Sequence, residues 1–176
     1  MDDQLGKTIA AARADVLARI AAAAKSAGRD PAWIALVAVS KVQPDERIEA
    51  MLATGQRVFG ENRVQEAQAR WAVRRAANAD LELRLIGPLQ TNKAKTALAL
   101  FDVIHTLDRE KLEHVLAAEI AAGARRPELF VEVNIGAEPQ KAGVPPRDAE
   151  AFVALCRDQL HLPVVGLMCL PPAGME

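Results

Sequence analysis

Residues 35–44 read Ala35-Leu-Val-Ala-Val-Ser-Lys-Val-Gln-Pro44. Six apolar or small residues lying between Pro31 and Pro44 suit a buried parallel strand and are too few for an ordinary helix. Side chains alternate along a strand, so Val37, Val39 and Lys41 share one face, and Ala38 and Ser40 the other. Lys41 then takes the last inward position at the strand's carboxyl end, where open α/β sheets and (β/α) barrels place their ligands. A lysine amine walled in by apolar strand residues loses basicity, and a neutral amine can condense with an aldehyde. The competing reading is an ordinary solvated lysine.

Outward from this stretch, helix and strand patterns alternate. Leu5, Ile9, Ala12, Val16 and Ile20 recur at helical spacing and predict a helix over residues 3–26, stopped by Gly28 and Pro31. Downstream of Lys41, Ile48, Met51 and Leu52 share one face of a second helix that has acids in its first turn. Further strands are predicted at 57–60, 81–86, 102–106, 129–134 and 164–168. Between them, Val64, Ala67, Gln68 and Trp71 mark one helix, Leu112, Val115, Leu116 and Ile120 another, and Phe152, Leu155 and Cys156 a third. Asp108 and Thr91 are the expected caps of the helices that follow them.

Strands separated by helices indicate βαβ units and a parallel sheet. Six strands allow either an open doubly wound sheet or most of an eight-stranded barrel, which typically needs about 250 residues. The residues after the first strand contain no Gly-x-Gly-x-x-Gly, which argues against a dinucleotide site. The chain stops at Glu176, in a loop just past the sixth strand. The expectation is one domain over residues 1–176, an N-terminal helix followed by an α/β fold of the (β/α)8 TIM-barrel type, truncated after six strands.

Composition narrows the partners. The chain has 176 residues, 51% of them apolar, and a formal charge of −1, so no electrostatic footprint for nucleic acid or an anionic membrane is expected. The acidic start Met1-Asp-Asp lacks the basic and apolar regions of a signal peptide, and no apolar run reaches the ~20 residues of a membrane span. A cytoplasmic location follows as the default. Cys156 and Cys169 have no Cys-x-x-Cys spacing and read as small core residues rather than a metal or redox pair.

The strand ends collect a polar set: Lys41, Glu61, Asn62, Gln90, Asn92, His105, Asn134 and Cys169. In a barrel these converge on one rim, although loop-facing strand ends are often polar for no other reason than solvent. Gly87 and Lys93 resemble the ends of a phosphate-binding P-loop, but Asn92 and Ala94 break the motif. His105, His114 and His161 lack metal-ligand spacing; His105 is expected to be a hydrogen-bonded strand residue. Glu132 stays open: directed inward it is a buried carboxylate that needs a partner, with Lys41 one candidate, and directed outward it must lie beneath helices.

Leu36-Val-Ala-Val-Ser-Lys41, Phe59-Gly-Glu-Asn62, Ile86-Gly-Pro-Leu-Gln-Thr-Asn-Lys93, Ile104-His105, Val133-Asn-Ile135, Lys141-Ala-Gly143 and Gly166-Leu-Met168 stand in an order that resembles the pyridoxal-phosphate homeostasis protein family. Its fold is similar to the barrel domain of alanine racemase. The resemblance implies that Lys41 holds pyridoxal 5′-phosphate as a reversible Schiff base, with Asn62 beside the cofactor ring and Val39 and Met168 lining the pocket. It further implies a non-enzymatic carrier that transfers cofactor to pyridoxal-phosphate-dependent enzymes. Many relatives carry His where Pro88 stands, and the family's phosphate-binding segments belong to strands seven and eight. One alternative is an amino-acid racemase of the related fold, although a two-base racemase pairs its lysine with a tyrosine and this chain has none. The second alternative is an interaction domain without cofactor.

Overall fold

The computed structural model describes residues 3–172, so the Met1-Asp2 start and the Ala173–Glu176 end lie outside it. All six strands are parallel and follow chain order in one sheet. The chain divides after Gly60 into two compact units.

In the first unit, α1 (Asp3–Ser26), β1 (Ala38–Val39) and α2 (Asp45–Ala53) lead into β2 (Val58–Glu61). Helix α1 shows the expected stripe, with Ile9 and Ala24 buried, but Ala12 is exposed and Arg13 takes the covered position instead. Arg13 Nε donates to Gln56 Oε1 at 3.0 Å, and Gln56 Nε2 donates to the carbonyls of Leu36 (2.7 Å) and Val58 (2.8 Å). A buried amide needs its hydrogen-bonding capacity filled, and Gln56, 3% exposed, fills it while tying α1 to β2 and to the segment that leads into β1. Strand β1 pairs with β2 through Ala38↔Phe59 and Val39↔Gly60. It is only two residues long rather than the continuous buried run that its apolar sequence predicts, because the chain turns immediately after Ser40.

In the second unit, α3 (Val64–Ala77), β3 (Glu82–Leu85), α4 (Ala94–Leu100), β4 (Val103–Leu107), α5 (Glu110–Ala121), β5 (Glu128–Glu132), α6 (Ala149–Ala154) and β6 (Val164–Met168) follow in turn. Leu83 and Leu85 are fully buried while Glu82 and Arg84 are only half-covered, which is the period-two pattern of a strand with one greasier face. Leu129 and Val131 repeat it on β5. Trp71, Leu98, Leu112 and Leu116 on the helices are also fully buried, as expected where crossover helices cover a parallel sheet. Asp102 joins neighbouring segments by accepting from Arg75 (2.9 Å), Arg125 (3.0 Å) and the Leu83 N–H (2.9 Å). Burial alone would raise the Asp102 carboxyl, but these donors hold it below its ordinary value.

Two capping expectations are corrected. Arg109, not Asp108, occupies the N-cap of α5, and Asp108 instead pairs with the Arg109 guanidinium. Thr91 lies inside a 3-10 turn whose N-cap is Gln90. Cys156 is buried as expected and donates to Glu113 Oε2 at 3.1 Å; burial, then Glu113, push its thiol up. Cys169 is exposed, because β6 ends at Met168 and the chain leaves the sheet there.

Candidate functional site

At the end of β1, Gln43 N–H donates to Ser40 O at 3.2 Å and closes a turn that has Lys41 and Val42 at its centre. Ser40 is buried, its N–H held by Gly60 O at 3.0 Å, whereas Lys41, the next residue, is turned out to solvent. Val42 sits at φ 52°, a left-handed conformation that is rare for a β-branched residue and costs about 1–3 kcal/mol. Its side chain is 82% exposed, so no burial offsets that cost. Lys41 is itself exposed, and Val39 is 47% exposed. The predicted apolar wall around the amine is therefore absent from this unit: Lys41 belongs to a turn, not to the interior of a strand. Its amine has no hydrogen bond or ion pair among the described residues.

Asn62 is placed by a different device. A Cβ on Gly87 would lie 2.4 Å from Asn62 O and 2.6 Å from Asn62 Cα, so only glycine permits this backbone approach. Ile86 N–H donates to Glu61 O at 2.9 Å on one side, and the buried Thr106 hydroxyl donates to Gly87 O at 2.8 Å on the other. Asn62, Gly87 and Thr106, from three strand ends, are thus locked together by main-chain contacts and one side-chain hydroxyl. The Asn62 carboxamide is left half-buried and uncommitted among the described residues. Glu61, its neighbour, does not join the polar rim. It is fully buried and accepts from Trp71 Nε1 (2.9 Å) and Arg70 (3.0 Å) on α3, because alternation turns it to the helix side.

On β4–β6, His105 stacks on Phe130 with ring centroids 4.6 Å apart, and Gly166 leaves the space that the Phe130 ring fills. Burial and the Arg84 charge lower the His105 imidazole to about 4, and its Nε2 is buried without a hydrogen-bond partner, contrary to the bonded strand histidine expected. The pairings Phe130↔Gly166 and Glu132↔Met168 put Glu132 and Met168 on this same face, which resolves the direction of Glu132. Its carboxyl is raised, first by burial and then by the nearby Asp108 charge, and no ion pair serves it among the described residues. The buried acid is accommodated by holding its proton more tightly. Asn134 is consumed by its loop: its amide bonds the Glu138 and Lys141 carbonyls at 2.8 and 3.3 Å. A Cβ on Gly143, at φ +114°, would lie 2.6 Å from the Asn134 nitrogen, so glycine permits the close return of the chain there.

Sequence reasoning passed over Val42 and Thr106. A β-branched residue gives no signal of a left-handed turn, and a hydroxyl facing a neighbouring strand is visible only once register is known.

The alanine racemase N-terminal domain family matches residues 12–174. A pyridoxal phosphate homeostasis protein of Pseudomonas aeruginosa is 38% identical over 169 residues, covering 96% of this chain and 73% of that protein. The chain belongs to the pyridoxal phosphate homeostasis protein family. Among solved structures, PipY of Synechococcus elongatus with PLP bound is 36% identical at TM-score 0.73, covering 90% of this chain and 72% of PipY. An unknown protein from Bifidobacterium adolescentis superposes at TM-score 0.88 with 28% identity, covering all of this chain and 74% of the other. Membership of the homeostasis family carries the alanine racemase N-terminal-like α/β fold with it, as the six-stranded parallel sheet bears out. No helix among the described residues is long and apolar enough to cross a membrane.

Proposed function

We propose that this protein binds pyridoxal 5′-phosphate and serves cofactor homeostasis as a carrier in the cytoplasm, with Lys41 as the attachment point. Val39, Asn62 and Met168 line the site, and pyridoxal-phosphate-dependent enzymes receive the cofactor. The observation that carries this reading is the Lys41 amine: exposed, without a partner among the described residues, and aimed by a turn that stores strain at Val42. Strain retained beside one reactive group is more readily explained by use than by stability.

The residues present fit the group. When bound, the cofactor supplies an aldehyde that a primary amine attacks with loss of water, a bond that water can reverse. Lys41 Nζ is the nucleophile. The uncommitted Asn62 carboxamide offers both a donor and an acceptor to a polar ring substituent, while Val39 and Met168 offer apolar surface to a ring face. Glu132, on the face of Met168, holds its proton more tightly than a free carboxyl because it is buried and lies near the Asp108 charge. Racemisation by a lysine–tyrosine pair is not proposed, since the chain contains no tyrosine.

Incubation with pyridoxal 5′-phosphate, borohydride reduction and peptide mapping tests the assignment. A phosphopyridoxyl group is expected on Lys41, lost in Lys41→Ala and kept in Lys93→Ala. Full labelling of the Lys41→Ala chain would return Lys41 to an ordinary solvated lysine. Sustained racemisation of L- or D-amino acids by the loaded protein would overturn the carrier role.

A further inference from the structure

Beyond the ends of β2, β3 and β4, a cleft of about 800 Å³ opens in the second unit. Three cationic side chains line it, Arg63, Lys93 and Arg109, together with the amides of Asn62, Gln65 and Gln90, and no carboxylate does. The cations are not equally committed. Arg63 pairs with Glu66 at 2.9 Å on the exposed helix surface. Arg109 is anchored at the wall, with one nitrogen donating to Leu89 O at 2.7 Å and another paired with Asp108. Lys93 is half-buried, and its ammonium has no hydrogen bond or ion pair among the described residues. A partly desolvated cation facing a polar cleft without a counter-charge is stabilised by an anion taken from solution. The backbone acts in the same sense. Arg63 and Arg109 are the N-caps of α3 and α5, and neither supplies a side-chain acceptor to the first turn. The free N–H groups of two helices of 14 and 12 residues thus start beside the three cations.

We propose that this cleft is an oxyanion site for a phosphate monoester, one whose binding does not require attachment at Lys41. Lys93 supplies the uncompensated charge, Arg109 a pre-positioned guanidinium, and Gln65 and Gln90 neutral donors. A dianion with three peripheral oxygens can use donors from several directions at once, which a single carboxylate does less well. Free pyridoxal 5′-phosphate and other monoesters share this chemistry.

Inorganic phosphate titrated into the full chain and followed by amide NMR tests this. Shifts are expected at the N–H groups of Val64, Gln65, Glu110 and Lys111, equally in Lys41→Ala. Lys93→Met should weaken the affinity about tenfold, as expected for one charge-assisted contact. Arg63→Gln, at an exposed position, should weaken it less and guards against misfolding of the first variant. Pyridoxal 5′-phosphate competing with phosphate in Lys41→Ala would identify the cofactor's own phosphate as the ligand, and its failure to compete would assign the cleft to another monoester. Absence of shifts at these amides, or equal affinity in wild type and Lys93→Met, would overturn the site; so would tighter binding of acetate than of phosphate.

Discussion

Around Lys41 the chain is held by one local turn, Ser40 to Gln43, with a left-handed valine at its centre and an exposed amine at its tip. Around Asn62 it is held by segments far apart in sequence: the Gly87 backbone against the Asn62 backbone, and the Thr106 hydroxyl against Gly87 O. The first arrangement leaves a reactive group reachable and keeps it pointed. The second fixes where a polar side chain starts and leaves its amide free. The first property suits a nucleophile open to exchange, the second a binding group that must keep its place.

The comparison breaks most visibly at Gly87. Gly87→Ala places a methyl 2.4 Å from a main-chain oxygen that has no flexible side chain to give way, and should destabilise the protein by about 3 kcal/mol in urea denaturation. A loss below about 1 kcal/mol would show that the clamp yields easily.

At the Lys41 turn the sign should reverse. Val42→Gly removes the strained φ at a side chain that is 82% exposed, and the gain should exceed the added freedom of the unfolded chain by about 1 kcal/mol. A lowered urea midpoint would mean that the valine side chain contributes something the turn geometry does not show. Asn62→Ala is the smallest expected effect. Its carboxamide bonds nothing among the described residues, so stability should move by less than about 0.5 kcal/mol while borohydride-trapped cofactor at Lys41 declines. A large loss of stability would place Asn62 in the frame rather than in the site.

Much of this protein was legible in its sequence, for reasons that are local. The helix over residues 3–26 and the strand over 164–168 follow from apolar periodicity, and the segments around Lys41, Asn62 and Met168 were enough to name the family. What the chain could not announce were contacts between strands. Whether Glu61 bonds Trp71 or joins a rim depends on which face its strand turns to α3, and whether Glu132 meets a cation or keeps its proton depends on the charges that register brings beside it. Lys41 is exposed for the same reason: apolar neighbours in sequence cover a side chain only if the strand continues past it, and here the chain turns. Periodicity is a property of one segment, whereas enclosure, pairing and close backbone approach belong to several segments at once, and only the tertiary structure decides them.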